Sequence, residues 1–228
     1  MASSLSDVAR HLNLTRRDSR PAEAPRPAAL PSLILMTDAR RAHDPVADVL
    51  RLPQGAAVIY RHYELMPQAR LALARVLRDA TKARKVKLLI ADDMRLALDV
   101  RADGLHFSEP ALKRAGTRLR KLPHWLVTAA AHSLPALRRA AKAGVTAALL
   151  SPVFVTMSHP GATPLGALRF AAMVQSGGLP VYGLGGINDR NARRLRGSGA
   201  AGVAAIDGLS RRRIEAPVIE YGDFRSLG

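Results

Sequence analysis

The chain has no cysteine among its 228 residues, which excludes disulfides, thiolate nucleophiles and cysteine-based zinc or iron–sulfur centres. Aromatic side chains make up 4% of the sequence, too few to build the stacking platforms of a single-strand nucleic-acid binder. No run of about 18 apolar residues occurs, so no segment reads as a membrane-crossing helix. The first residues also lack the apolar stretch of a secretory leader, and a cytoplasmic location is the expectation. Acidic residues are scarce, 18 against 35 Lys and Arg, for a formal charge of +17. Such an excess raises a nucleic-acid reading, because clustered bases neutralise phosphates and release counterions. The bases are spread over nearly every polar segment, however, and only Arg211-Arg212-Arg213 forms a run. Arginine outnumbers lysine and alanine is abundant, the signature of GC-rich coding, and net charge bears on solubility more than on fold. No specific nucleic-acid partner and no membrane partner are expected.

What is present is an alternation. Residues 1–31 contain "SRPAEAPRPAALP" and read as a disordered or loosely ordered tail, with room for a short amphipathic helix around Leu5 to Leu14. Beyond it, β-rich runs alternate with helical stretches: "LILMTD" from Leu33, "AAVIYRHY" from Ala56, "VKLLIAD" from Val86, "GLHFSE" from Gly104, "WLVTAAA" from Trp125, "AALLSPVF" from Ala147, "PVYGLGGI" from Pro180 and "AGVAAID" from Ala201. Between them, "SLPALRRAAKAG" shows a helical apolar stripe and a glycine stop. "MPQARLALARVLRDATKARK", "DMRLALDVRA" and "NDRNARRLRGSG" also read as helical. Eight strand–helix repeats predict an α/β fold, a single (β/α)8 TIM barrel over residues 32–228.

In such a barrel the chemistry lies at the C-terminal ends of the strands. Those ends carry Asp38, Arg61, Tyr63, Asp92, Asp93, His106, Glu109, His132, Thr156 to His159, Gly185, Gly186 and Asp207. "GLGGIN" precedes a helical stretch at the position where these barrels bind phosphate, and its glycines let backbone N–H groups approach an anion. Of the neighbouring carboxylates, Asp92 reads as facing inward, where it could bind Mg²⁺, and Asp93 as the cap of the next helix. His106 and His132 are either site residues or satisfied structural histidines. The alternation in "VAAID" puts Asp207 on the face of Val203 and Ala205, read here as the inward face.

Taken in order, the pieces resemble the thiamine phosphate synthase family and its TenI-like thiazole tautomerase relatives, collinearly from Leu33 to Ser210. The carriers are "LLIADDMRLAL", "ADGLHFSEP", "AAHSLPAL", "SPVFVTMSHPG", "VYGLGGIN" and "AGVAAID". The resemblance implies coupling of hydroxymethylpyrimidine pyrophosphate to thiazole phosphate, with Mg²⁺ stabilising the departing pyrophosphate. It assigns catalytic positions to Arg61, Asp92 and His132, with Asp92 also a metal ligand. Substrate and phosphate positions fall on His106, Thr156, Ser158, His159, Gly166, Gly185, Gly186 and Asp207. A phosphorylated thiamine precursor or related small molecule is the expected partner, and a homo-oligomer is compatible with the family.

The departures fall on the chemistry. The family's Gln and Lys around strand two are Ile59 and Tyr63, and the Asn before the metal Asp is Ala91. The second metal carboxylate falls on Ala111, with Glu109 two residues away, so the Mg²⁺ assignment keeps one of two expected carboxylates. The serine of the strand-five motif is Ala130, the strand-six lysine is His159, and the phosphate-loop serine is Asp207. Pro152 stands where the tautomerase carries a histidine. Turnover is therefore expected to be weak or lost, the alternative being a non-catalytic barrel that binds a small ligand and regulates.

Overall fold

The computed structural model describes residues 5–18, 30–39, 44–115, 125–156 and 161–206. Eight short parallel strands form one closed ladder in sequence order: β1 Leu33–Met36, β2 Ala57–Tyr60, β3 Lys87–Ala91, β4 Gly104–Phe107, β5 Leu126–Ala131, β6 Ala147–Leu150, β7 Val181–Gly183 and β8 Gly202–Ala205. The circle closes where Leu33, Ile34 and Leu35 pair with Val203, Ala204 and Ala205. The predicted (β/α)8 barrel is thus the observed architecture.

Alternation along each strand sends one set of side chains into the barrel and the other against the helices. Ile34, Ile59, Leu89, Leu149, Tyr182 and Ala204 belong to the inner cluster, while Leu35, Val58, Ile90, Leu105, Val127 and Val203 belong to the outer one. Large and small residues mix inside, so the lumen is filled. Tyr182 is fully buried and its hydroxyl donates to the carbonyl of Pro31 (2.6 Å), tying the chain that enters β1 to the barrel interior.

The covering helices obey local rules. α2 (Pro45–Arg51) is capped by Asp44, whose Oδ1 accepts the N–H of Val46 at 2.8 Å. α3 (Pro67–Arg84) starts with proline, where a missing N–H costs nothing. α4 (Met94–Asp99) and α5 (Glu109–Ala115) follow β3 and β4. α6 (Leu134–Ala143) is capped by Ser133 and ends on Gly144 in the left-handed region, as its sequence predicts. α7 is Gly166–Ser176.

Two expectations are corrected. The strands end earlier than the apolar runs suggest, β6 at Leu150 and not Phe154, because from Ser151 the chain leaves the ladder to form the rim. The stretch "NDRNARRLRGSG" forms only a 3₁₀ turn, Ala192–Leu195. Asn188 and Asn191 bond locally in a loop geometry before it, and Gly197 and Gly199 take positive φ after it. The short helix for which the N-terminal segment left room is present and longer than expected: α1 spans Leu5–Asp18 and buries Leu5, Val8, Ala9 and Leu12 against β8, β1 and the 3₁₀ turn. The Oδ1 of Asp189 accepts the N–H of Leu5 at 2.6 Å, closing the start of this helix. α1 therefore covers the barrel wall where β8 meets β1.

Leu12 is fully buried in that contact, so Leu12→Ala should lower stability by about 2–4 kcal/mol. Urea unfolding measures this; an unchanged midpoint would mean that α1 does not pack on the barrel in solution.

Candidate functional site

The polar strand ends gather at one rim. At β1, Thr37 and Asp38 receive Arg61 from β2: the Arg61 Nε donates to the Thr37 carbonyl at 2.9 Å, its backbone N–H to Thr37 Oγ1 at 3.1 Å, and its guanidinium pairs with Asp38 at 3.0 Å. Both side chains are mostly buried, 23% exposed for Arg61 and 6% for Asp38. Arg61 is thus fixed in place and its charge countered before any ligand arrives.

Asp92 directly follows β3 and takes φ +55°, a rare conformation for a residue with a side chain. Two contacts hold it there: its N–H donates to the His106 carbonyl (2.9 Å), and its Oδ1 accepts the N–H of Ser108 (2.8 Å). Its Oδ2 accepts the hydroxyl of Tyr63 at 3.1 Å. Burial and the charge of Asp92 push the Tyr63 hydroxyl pKa up, so it keeps its proton and acts as donor. Asp93 is the cap, its Oδ1 accepting the N–H of Leu96 at 2.9 Å. Its other oxygen pairs with Arg70 at 2.6 Å. Arg70 also donates to the Ala91 carbonyl and lies 5.5 Å from the Tyr63 ring centre.

His106 points into the barrel from β4 and is 4% exposed. Its Nδ1 lies 2.9 Å from Thr128 Oγ1, directly across the ladder on β5. Burial is the main cause that lowers its pKa to about 4, opposed by the Asp92 charge and assisted by Arg61. It is a neutral imidazole near pH 7. His132, just past β5, places its Nδ1 3.0 Å from the Ser151 carbonyl and 3.2 Å from the Ser151 hydroxyl. A carbonyl partner requires the proton on that nitrogen.

The loops after β6 and β7 abut. Gly185 and Gly186 both take positive φ, and a Cβ on Gly186 would lie 2.2 Å from the Val155 carbonyl. Only glycine permits this approach. The Gly185 carbonyl accepts from Phe154 and that of Gly186 from Asn191, whereas neither N–H donates to another described residue. Thr156 is half-buried beside them. Gly166, also at positive φ, donates to the Val153 carbonyl at 2.9 Å and folds the strand-six loop back to start α7.

The fold therefore gathers Arg61, Asp92, His106, His132, Thr156, Gly166, Gly185 and Gly186 at the strand ends. Ser158, His159 and Asp207 lie outside the described residues. The inward assignment of Asp207 loses its basis, because Val203 and Ala205 belong to the outer cluster and Ala204 to the inner one. Sequence reasoning missed Thr128 and Ser151 as histidine partners, and Arg70 as the support of Tyr63. Thr128 was recoverable, since register pairs it with His106.

These residues fit a divalent cation poorly. Asp92 has a donor on each oxygen. Glu109 pairs with Arg139, and Ala111 packs into the outer core. Among the described residues, no group of three His, Asp or Glu side chains could hold a metal.

Residues 33–209 match the family model described as thiamine monophosphate synthase. The thiamine-phosphate synthase of Chloroflexus aurantiacus is 30% identical over 182 residues, 78% of this chain and 84% of that protein. That of Bacillus velezensis is 28% identical over 175 residues, 74% and 78% of the two chains. The solved thiamine phosphate pyrophosphorylase from Pyrococcus furiosus superposes with a TM-score of 0.64 at 27% identity, covering 77% of this chain and 85% of that one.

Burial of neutral His106 links the rim to pH. Its folded pKa of about 4 lies below the unfolded value of 6.5, so the unfolded chain binds the proton first as pH falls. Stability should drop by about 3 kcal/mol between pH 6.5 and 4 on this account. His106→Gln should flatten that part of the stability profile, measured by urea unfolding; an unaltered slope would contradict it.

Proposed function

Because the chain belongs to the thiamine monophosphate synthase family, we propose that it is a barrel that binds a phosphorylated thiamine precursor and joins the two precursors slowly or not at all. The Gly185-Gly186 turn supports phosphate binding. Its N–H groups are unspent among the described residues, and the strand-six loop is pinned against it. His106, kept neutral, presents a hydrogen-bonding ring rather than a charge to the lumen.

The observation that carries the slow-turnover reading is the ion pair of Arg61 with Asp38. In the reaction that the family performs, the bond between the pyrimidine's methylene carbon and the pyrophosphate oxygen breaks and the thiazole nitrogen bonds to that carbon, so negative charge builds on the departing pyrophosphate and needs positive charge in place. Arg61 is the basic residue that the resemblance keeps on strand two, and Asp38 already balances it. Ile59 and Tyr63 add an apolar and a neutral group where the resemblance has Gln and Lys. His132, with its Nδ1 proton held by Ser151, can orient a ligand at its ring. The alternative, a barrel that binds and regulates without turnover, is favoured by the engagement of both Asp92 oxygens by Ser108 and Tyr63.

Losing two charge-stabilising groups at about 3 kcal/mol each should slow coupling by roughly four orders of magnitude relative to a family member with the full motif. Thiamine phosphate formation at saturating precursor and Mg²⁺ concentrations measures it, and a rate within about tenfold of that enzyme would refute the reading. Calorimetry with thiazole phosphate should still show saturable binding. Absence of binding would refute the ligand assignment.

A further inference from the structure

We propose that the Tyr63 hydroxyl takes the place of a divalent cation on Asp92, so that this barrel holds its ligand without a metal. The carboxylate is where the resemblance puts Mg²⁺, and it is aimed and immobilised by the N–H of Ser108 on one oxygen. The other oxygen, the one left to face a ligand, is 3.1 Å from the phenol. Magnesium demands near-octahedral oxygen ligands at about 2.0–2.1 Å and gives up its water reluctantly. A cation on Asp92 Oδ2 would have to share that oxygen with this hydroxyl, which already takes one of its lone pairs.

The phenol is held in place from behind. Arg70 lies 5.5 Å from its ring centre and 6.0 Å from that of Tyr60, and is itself fixed by Asp93 and the Ala91 carbonyl. Moving Tyr63 aside breaks the hydrogen bond and the cation–π contact together. The same guanidinium, with Arg61 on the strand-two side, sets positive charge around the Tyr63 hydroxyl. Among the described residues, Glu109 offers Asp92 no second carboxylate, because it is paired with Arg139. The hydroxyl neutralises one oxygen by hydrogen bonding where a metal would do so by charge. Asp92 is thereby a fixed structural acceptor that ties the strand-two and strand-four loops together.

Manganese, followed by electron paramagnetic resonance, is the probe. Wild-type protein should leave the free Mn²⁺ signal undiminished. Tyr63→Phe keeps the ring against Arg70 and removes only the hydroxyl of a half-exposed side chain, so folding is not at stake. It should bind one Mn²⁺ at least about tenfold more tightly than wild type, and Asp92→Asn in the same background should abolish the gain. One Mn²⁺ bound by the wild type and lost in Asp92→Asn overturns the proposal, as does Tyr63→Phe with unchanged Mn²⁺ binding. A second arm rests on the family reading: affinity for thiazole phosphate should be the same with and without Mg²⁺, and a rise of more than about threefold on adding Mg²⁺ overturns the proposal. If thiazole phosphate binds under neither condition, the ligand assignment fails while the Mn²⁺ result still decides the role of Tyr63.

Discussion

Closure of the parallel ladder between β8 and β1 is the constraint on which everything else rests. Once eight strands share one circle of hydrogen bonds, alternation divides every strand into a lumen face and a helix face, and parallel direction gathers all the C-terminal ends at one rim. Arg61, Asp92, His106, His132 and the two glycines are far apart in sequence and reach one rim for this reason alone. The closing seam is also where α1 lies, with four apolar residues buried over β8 and β1 and its first turn closed by Asp189. Asp189 follows the Gly185-Gly186 turn by three residues. The N-terminal helix is therefore attached to the loop that carries the Gly185-Gly186 turn.

Within that frame the rim divides in two. On the β6–β7 side the backbone does the work: positive-φ glycines, a tightly abutting loop and N–H groups left without described partners. On the β1–β4 side the side chains are already paired with one another, Arg61 with Asp38, Asp92 with Tyr63 and Ser108, Asp93 with Arg70. On the proposed reading, the first half would hold a phosphate, while the charged groups of the second half are engaged as internal ties, and that pairing is what would separate ligand binding from turnover.

The fold was legible because strand–helix alternation and parallel closure are both written in the apolar period. Strand length was not, because "AALLSPVF" stays apolar past Leu150 while the chain has already left the ladder. The apolar positions Leu5, Val8, Ala9 and Leu12 follow helical spacing, yet spacing cannot say which wall such a helix covers. The identity of Asp93 as a cap was legible from its place before a helix. The partner of Asp92 was not, since Tyr63 lies 29 residues upstream and only the tertiary approach of the β2 and β3 ends brings them together. The inward face of β8 was misassigned because "AGVAAID" has small apolar residues on both faces, so alternation gives the period of the strand and leaves its phase open.

The most direct test is a crystal structure of the protein soaked with thiazole phosphate and MnCl₂, with anomalous scattering collected at the manganese edge. The account predicts phosphate density against the Gly185-Gly186 turn, no anomalous peak at Asp92, and the Tyr63 hydroxyl still bonded to that carboxylate. A manganese peak coordinated by Asp92 with Tyr63 swung away would contradict it.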